Sequence, residues 1–288
     1  MGLISEIPRH LPAFLKPVAR KIYYTYIPYL YIINTRHENN LIPPKRLATL
    51  YGADEAKDFT AIGDHLLMML AKYADVKSNS AVLDVGCGTG LMAVALTSYL
   101  KNGSYEGFDT IPAGVIWCQN NISQRFPNFH FQVADIYHES YNPRGKIQSI
   151  NYRFPYDDST FDVVILRSVF THLRPKEVEH YLSEIARVMK NGGKCFITYH
   201  ILNVETYGMM ENKRSYFNFA YMVEENCFTT DVCLEPQVAY DETYLRKVYR
   251  EYGLKITEPI IYGGWRRGKD ATQLDFQDIV VAAKISNE

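Results

Sequence analysis

Several features that would point to common protein classes are missing from this sequence. Its formal net charge is −1 over 288 residues, so it lacks the overall positive charge that favours binding to nucleic acid. Its five cysteines form an odd set without a CxxC pair or zinc-site histidine spacing, which indicates free thiols and no metal site. Neither a secretory signal nor an uncharged run of membrane-spanning length is present, and we expect a cytoplasmic protein.

The composition that remains is that of a folded α/β protein. Hydrophobic residues make up 47% of the chain and charged residues 22%, which is enough for a packed core. The length suits one domain with appended segments. We expect residues 51–288 to form this domain, with an insertion at about 200–240, and residues 1–50 to form a separate N-terminal segment.

The N-terminal segment is basic and rich in tyrosine through residue 40. Its prolines, which include Pro8, Pro12, Pro17 and Pro28, argue against one long amphipathic helix. Two interpretations stay open. The segment is a lid or protein contact over the core, or it is a peripheral membrane contact in which tyrosines and cations face the lipid headgroups.

The hydrophobic pattern from residue 54 onward alternates between helix and strand. Apolar residues at three- and four-residue steps predict a helix over 54–73. Short aliphatic runs then alternate with helical stretches, which is typical of βαβ units on a parallel sheet. The predicted strands are 81–85, 104–108, 129–133, 163–166 and 194–199, and the predicted helices between them are 91–100, 113–125 and 178–189.

The C-terminal part departs from this alternation. We predict a helix over 240–252 and a final antiparallel pair of strands, 254–261 and 278–284, at the edge of the sheet. Residues 200–240 are aromatic and without clear periodicity, and we expect an irregular lid or binding element there.

A glycine-rich turn follows the first predicted strand. Residues 82–90 read Val-Leu-Asp-Val-Gly-Cys-Gly-Thr-Gly, with Gly86, Gly88 and Gly90 at every second position before a helix. Glycines allow a sharp turn and a close approach of the backbone to a ligand, and a helix N-terminus offers free N–H donors to an anionic group. The turn therefore predicts a ligand site, with Asp84 able to accept from an ammonium group.

Two more carboxylates follow the next strands. Asp109 ends the second strand, where an ionised carboxylate can accept from both hydroxyls of a ribose. Asp135 follows the third strand and can accept from an adenine amino group, while Ile136 packs on the ring. The loop from His138 to Asn151 is long, and we expect that it also reaches the substrate.

These motifs together resemble the class I S-adenosylmethionine-dependent methyltransferases. Residues 154–164 are similar to the segment that leads into the fourth strand of that superfamily, and residues 184–193 to the helix and glycine turn before its fifth. The resemblance covers about residues 54–200. Residues 141–145 and 168–173 are similar to a bacterial subgroup thought to act on glycans or specialised metabolites.

The resemblance implies a Rossmann-like three-layer αβα sandwich, with a mostly parallel seven-stranded sheet, an antiparallel edge strand, and insertions at the N-terminus and after the fifth strand. It also implies S-adenosylmethionine as cofactor and methyl transfer to a small-molecule or glycan acceptor, with O-methylation favoured. The cofactor-binding residues it implies are Asp84, Gly86, Cys87, Gly88, Gly90, Asp109, Thr110, Asp135, Ile136, Leu166 and Arg167.

Transfer to a hydroxyl group calls for a general base, and histidine titrates in the right range. His172 and His200 follow the fourth and fifth strands, at the sheet edge where ligands of open α/β folds bind. Each is a candidate base, and helix-start or core packing is the alternative for each. Arg167 can also pair with an acidic group of the acceptor.

Two other functions remain possible on the sequence. A nicotinamide-dependent dehydrogenase shares the strand-turn-helix phosphate site, although GxGxG is not its GxGxxG spacing. A non-catalytic methyltransferase-like subunit would keep the cofactor residues and bind a partner through residues 1–40.

Overall fold

The computed structural model describes residues 41–49, 56–139, 141–230, 237–270 and 276–285. Residues 1–40, on which the predicted lid or membrane contact rests, lie outside the described residues. Eleven strands are described: β1 Ala81–Val85, β2 Ser104–Asp109, β3 Phe129–Val133, β4 Phe161–Leu166, β5 Met189–Tyr199, β6 Ile201–Leu202, β7 Tyr221–Glu224, β8 Cys227–Thr229, β9 Val238–Asp241, β10 Leu254–Ile256 and β11 Asp278–Lys284.

Seven α-helices are described between and around these strands. They are α1 Lys45–Thr49, α2 Ala56–Met69, α3 Leu91–Thr97, α4 Pro112–Cys118, α5 Pro175–Val188, α6 Val204–Glu211 and α7 Glu242–Glu251. α2 and α4 continue into π-helical turns at Leu70–Ala74 and Gln119–Ser123, and three 3₁₀ segments lie at Ser149–Asn151, Phe170–His172 and Gly264–Asp270. Within the described ranges, none of these helices is long and apolar enough to cross a membrane.

The main sheet has seven strands in the order β10-β11-β5-β4-β1-β2-β3. The strands β1 to β5 pair in parallel, and β11 pairs antiparallel to both β5 and β10. The predicted strands at 81–85, 129–133 and 278–284 match β1, β3 and β11. The predicted antiparallel pair at one edge is therefore confirmed, with β11 one position in from that edge.

Each face of the sheet is covered by helices, because successive side chains of a strand point to opposite faces. In β1, Leu83 and Val85 pack in one buried cluster with side chains of α5 and α7. Val82 packs in a second cluster with side chains of α2, α3 and α4. This confirms the Rossmann-like three-layer αβα sandwich.

The prediction of an irregular segment over 200–240 was wrong. A four-stranded sheet of order β6-β9-β8-β7 spans this region, with α6 between β6 and β7. Its strands have only two to four residues each, which is too short to display the period of two along the sequence. Their pairing is set by partners far apart in the chain, such as Cys227 opposite Tyr240.

Three predicted boundaries also need correction. The helix predicted over 240–252 begins at Glu242, because Asp241 caps it by accepting a hydrogen bond from the Thr243 N–H at 2.8 Å. The helix predicted to reach Met189 ends at Val188, and β5 begins directly after it. The strand predicted over 254–261 ends at Ile256, ahead of Pro259, which lacks an N–H donor.

Asp278 at the start of β11 joins the two sheets. Its Oδ2 accepts hydrogen bonds from the Ile201 N–H at 2.7 Å and from the Trp265 indole at 2.8 Å. Its Oδ1 accepts from the Gly263 N–H at 2.7 Å, and the buried Arg266 lies 3.4 Å away. A fully buried carboxylate with this many donors ties the β5–β6 junction to the segment before β11.

We expect Asp278→Asn to lower the free energy of unfolding by about 2–4 kcal/mol, because an NH₂ group would then face buried donors and Arg266 would lose its counter-charge. Urea unfolding measures this loss. Asp75→Asn is the matched control, since Asp75 forms an exposed pair with Lys77 at 3.2 Å, and its effect should stay within about 0.5 kcal/mol. Equal, small losses in both variants would show that the Asp278 network is not a major source of stability.

Candidate functional site

One cavity of about 320 Å³ opens at the carboxyl ends of β1, β2 and β4, where ligands bind in open α/β sheets. Most of the site residues predicted from the sequence line this cavity. The predicted site residues that line it are Asp84, Gly86, Cys87, Gly88, Asp109, Thr110, Ile136, Arg167 and His172.

The glycine-rich turn forms one wall of this cavity. The backbone N–H groups of Gly86 and Cys87 both donate to the carbonyl of Phe108, at 2.9 and 3.0 Å, which ties the turn to the end of β2. Gly86 has φ +77°, and a Cβ atom at this position would lie 2.5 Å from Cγ2 of Val169. A side chain at Gly86 is therefore excluded by both backbone conformation and space.

Asp84 is a buried carboxylate on the cavity wall. It is 2% exposed, and the Tyr105 hydroxyl donates to its Oδ2 at 2.5 Å. Burial raises the pKa of Asp84 to about 7, although the hydrogen bond from Tyr105 opposes the rise. Ionisation of Asp84 is therefore unfavourable in this buried position. A cationic group of a ligand would stabilise the ionised carboxylate.

Asp109 is a second buried carboxylate, at the end of the neighbouring strand β2. Its Oδ2 accepts from the Gly88 N–H at 2.9 Å and its Oδ1 from the Ile111 N–H at 2.8 Å. Burial raises the pKa of Asp109 to about 6, against the lowering effect of these backbone donors. These backbone hydrogen bonds hold the carboxylate at the cavity wall, where it can accept from a ligand hydroxyl.

The third predicted carboxylate does not reach the cavity. Asp135 is exposed, and its Oδ1 accepts from the Lys146 N–H at 3.2 Å, because the long loop folds back on it. Ile136 is buried and lines the cavity. The same loop supplies Tyr137, His138 and Tyr141 to the wall, so it does reach the cavity.

Two predicted cofactor contacts are also absent from the cavity wall. Gly90 precedes α3 with φ +75°, and a Cβ there would lie 2.9 Å from the Cys118 sulfur, so this glycine permits packing of α3 against α4. Leu166 is fully buried at the end of β4 and packs in the core. Neither position lines the cavity.

The two candidate histidines lie in different environments. His172 lines the cavity at the end of the 3₁₀ segment after β4, and its ring contacts that of Tyr141 edge-on, with centroids 5.8 Å apart. His200 is fully buried and does not line the cavity, so its placement as a candidate base is corrected. Its Nε2 lies 3.0 Å from Oε1 of Gln237, and burial lowers the pKa of His200 to about 3.

Several lining residues have no signal in the sequence. Gln237 comes from the insertion, next to β9, and Gln277 immediately precedes β11. Neither belongs to a motif, and only the sheet order places β11 beside β5 and both glutamines at the cavity. In the part of the chain that the structure describes, no group of histidine, cysteine, aspartate and glutamate side chains is arranged to hold a metal ion. The four described cysteines are free and buried.

Comparison with known proteins decides the family. A family model described as "Methyltransferase domain" matches residues 76–253, which is more than half of the chain. The chain belongs to this methyltransferase-domain family. Membership decides against the nicotinamide-dependent dehydrogenase that the glycine turn left open.

The chain is also similar to individual proteins. It is 32% identical over 136 residues to phthiotriol/phenolphthiotriol dimycocerosates methyltransferase 1 of Mycobacterium ulcerans, a match that covers 47% of this chain and 43% of that protein. The match therefore spans less than half the length of this relative.

Solved structures show the same fold. The PH0226 protein of Pyrococcus horikoshii superposes with a TM-score of 0.54 at 17% identity, covering 79% of this chain and 92% of that one. A SAM-dependent methyltransferase of Methanosarcina mazei superposes with a TM-score of 0.53 at 19% identity, covering 75% and 97%. The family model therefore shows a methyltransferase domain, and the solved structures show that its fold is shared with a SAM-dependent methyltransferase.

Proposed function

We propose that this protein transfers a methyl group from S-adenosylmethionine to a hydroxyl oxygen of a small-molecule acceptor. The observation that carries the proposal is the composition of the cavity wall. Two buried carboxylates, Asp84 and Asp109, lie beside the glycine turn, and a histidine, His172, lines the same cavity. The first pair suits the cofactor, and the histidine suits proton removal from the acceptor.

The donor and acceptor groups of the wall fit the cofactor. Asp84 would accept from the methionine ammonium group, which would offset the free-energy cost of ionising a carboxylate with a pKa of about 7. Asp109, held by two backbone donors, would accept from the ribose hydroxyls.

The remaining wall residues would shape the rest of the cofactor site. Gly86, Cys87 and Gly88 would bring the backbone close to the methionine part. Ile136 would pack on the adenine, with Thr110 beside the ribose and the backbone of Arg167 at the cofactor's edge. Gly90 and Leu166 would support this site from behind the wall.

The bound cofactor supplies a methyl group activated by a sulfonium sulfur. The chain contributes orientation, because a nucleophile held in line with the methyl group reacts without the entropic cost of bringing the two together. His172 would take the proton of the acceptor hydroxyl as the new carbon–oxygen bond forms. No other base is required on the wall for this reaction.

The acceptor half of the cavity favours a molecule with an apolar or aromatic body. Tyr137, Tyr141, Leu173 and Tyr181 line the cavity, and rings of this kind pack against apolar chains and sugar faces alike. The Mycobacterium ulcerans relative is named for a phthiotriol substrate, which supports a hydroxylated lipid as one acceptor class beside the glycans. A cytoplasmic location with peripheral membrane or protein contact through residues 1–40 would fit such acceptors.

We expect His172→Gln to lower kcat by about 10²- to 10⁴-fold while leaving the Kd for S-adenosylhomocysteine unchanged, because general-base catalysis acts on the acceptor proton only. The acceptor for this assay is first identified by screening hydroxylated lipids, glycans and phenols for homocysteine release. The control is His130→Gln, since His130 is exposed and pairs with Glu106 outside the cavity.

Two outcomes would contradict the proposal. Equal kcat values in His172→Gln and wild type would remove His172 as base. Tight S-adenosylhomocysteine binding without turnover on any hydroxylated acceptor would favour the non-catalytic subunit instead.

A further inference from the structure

Arg167 is the only lysine or arginine among the described residues that line the cavity. It follows directly after β4, and among the described residues no hydrogen-bond acceptor or carboxylate lies within bonding distance of its guanidinium. Burial lowers the pKa of Arg167, and the nearby charge of Asp84 opposes that change. A guanidinium remains protonated in proteins, so this side chain is a cation on the wall without a direct partner in the described structure.

Two amide groups on the same wall have their carbonyl oxygens already bonded. The Ser168 hydroxyl donates to Oε1 of Gln277 at 2.9 Å. Ser168 is itself fixed in the left-handed region at φ +57°, and its N–H donates to Oγ1 of Thr198 at 2.8 Å. The amide carbonyl of Gln277 is therefore used within the protein, and its NH₂ group keeps its two hydrogens for a ligand.

Gln237 is oriented in the same way by the buried His200. The Nδ1 atom of His200 has no hydrogen-bond partner in the described structure, so a proton on that atom would be buried and unsatisfied. The ring is neutral because burial lowers the pKa of His200 to about 3, and its one proton is on Nε2. Nε2–H thus donates to Oε1 of Gln237, 3.0 Å away, which leaves the Gln237 NH₂ group for the cavity.

Strand order brings these donors to one end of the cavity. Leu166 lies opposite Ile197, so Arg167 and Ser168 lie beside Thr198 at the end of β5. Asp278 lies opposite Tyr199, which places Gln277 next to His200. One guanidinium and two amide NH₂ groups, all donors, therefore belong to the part of the cavity wall near the ends of β4 and β5 and the start of β11.

We propose that this donor end, formed by Arg167, Gln237 and Gln277, binds a carboxylate of the methyl acceptor. A carboxylate accepts hydrogen bonds only, and its two oxygens match the planar fork of a guanidinium. The inference rests on the proposed function, because it needs an acceptor to occupy the cavity beside the cofactor. An anionic acceptor also balances the positive charge that Arg167 and the sulfonium bring to one cavity.

Benzoate and benzamide form a matched pair of probes, because they share a ring and differ in the charged group. Both are titrated into protein saturated with S-adenosylhomocysteine, and calorimetry reports binding. We expect saturable benzoate binding and at least about tenfold weaker benzamide binding, as for loss of a charge-assisted hydrogen bond. Phosphate monoesters of the same size distinguish a general oxyanion site from a carboxylate site.

Arg167→Met should weaken benzoate binding at least about tenfold and leave the S-adenosylhomocysteine Kd within about threefold of wild type. Arg250→Met on α7 is the matched control and should change neither value, since Arg250 is exposed and does not line the cavity. Gln237→Glu is a second variant of the same shape, in which a carboxylate oxygen replaces the NH₂ group. It should abolish benzoate binding by like-charge repulsion.

Each other outcome overturns the inference without touching the cofactor site. Absent benzoate binding, equal binding to Arg167→Met, or tighter binding of phosphate monoesters would exclude a carboxylate site. A tenfold or greater loss of S-adenosylhomocysteine affinity in Arg167→Met would assign the guanidinium to the cofactor's own carboxylate. Failure of wild type to bind S-adenosylhomocysteine would instead contradict the proposed function.

Discussion

Asp84→Asn should weaken S-adenosylhomocysteine binding by about 10- to 100-fold, as expected for loss of a charge-assisted hydrogen bond in a buried site. The substitution keeps the shape of the side chain and an oxygen that accepts from the Tyr105 hydroxyl, which lies 2.5 Å from the carboxylate. Calorimetry of wild type and variant measures the change. Asp75→Asn is the control, since it removes an exposed carboxylate that does not line the cavity, and its binding should remain close to wild type.

The same variant should not lose stability in the absence of ligand. Because burial raises the folded-state pKa of Asp84 from 3.8 to about 7, the folded protein holds more protons than the unfolded chain between these values. Stability from this group is therefore present at low pH and is lost as pH rises through about 7.

Asp84→Asn lacks this titration, so its melting temperature at about pH 8 should equal or exceed that of wild type. Ligand affinity of wild type should rise as pH increases toward 7, because the ionised carboxylate is the binding form, and the variant should show a flat profile. A variant that loses both stability and affinity would assign Asp84 a structural role only.

Gly86→Ala should abolish measurable S-adenosylhomocysteine binding and lower the free energy of unfolding by about 2–5 kcal/mol. Two effects add. The added Cβ would lie 2.5 Å from Cγ2 of Val169, a β-branched residue with few alternative rotamers, and the φ of +77° is strained for alanine. The glycine turn must move to relieve the contact, and it carries the backbone that faces the cofactor.

Gly192→Ala separates the two effects. Gly192 has the same φ of +77°, but no atom lies within 4 Å of a Cβ built there. Gly192→Ala should lower the free energy of unfolding by only about 1–2 kcal/mol, the cost of a positive φ for alanine, and should bind S-adenosylhomocysteine as wild type does. The double variant Gly86→Ala with Val169→Ala should recover part of the stability, because it removes the methyl group that clashes. Equal losses in Gly86→Ala and Gly192→Ala would show that space at the turn is not limiting.

The parts of the fold that were predictable from the sequence are those with a strong local period. β1 and β11 are mostly buried runs of five and seven residues, β3 alternates buried with more exposed positions, and the apolar spacing of α5 identifies it as a helix. Asp84 and Asp109 were predictable because Asp84 is the penultimate residue of β1 and Asp109 is the last residue of β2. Parallel strands place their carboxyl ends at one edge of the sheet. Residues near the ends of different strands, such as these two aspartates, are therefore expected to lie close together.

The failures share a physical cause, which is dependence on contacts between distant residues. The strands of the insertion are too short for a visible period, and they form because Cys227, Phe228 and Thr229 pair with residues 238–240. His200 occupies the end of a strand like His172, yet aromatic residues of the insertion and of the C-terminal part enclose it. Gln237 and Gln277 reach the cavity only through that packing, and Asp135 is turned away by a loop folded on it.

The most direct measurement of the central claim is a crystal structure of the protein with S-adenosylhomocysteine bound. We expect the nucleoside in the cavity at the ends of β1, β2 and β4, with both ribose hydroxyls about 2.6–3.2 Å from the Asp109 carboxylate. We also expect the amino group at Asp84 and the sulfur facing His172. A ligand bound elsewhere, or a ribose that does not contact Asp109, would contradict the account.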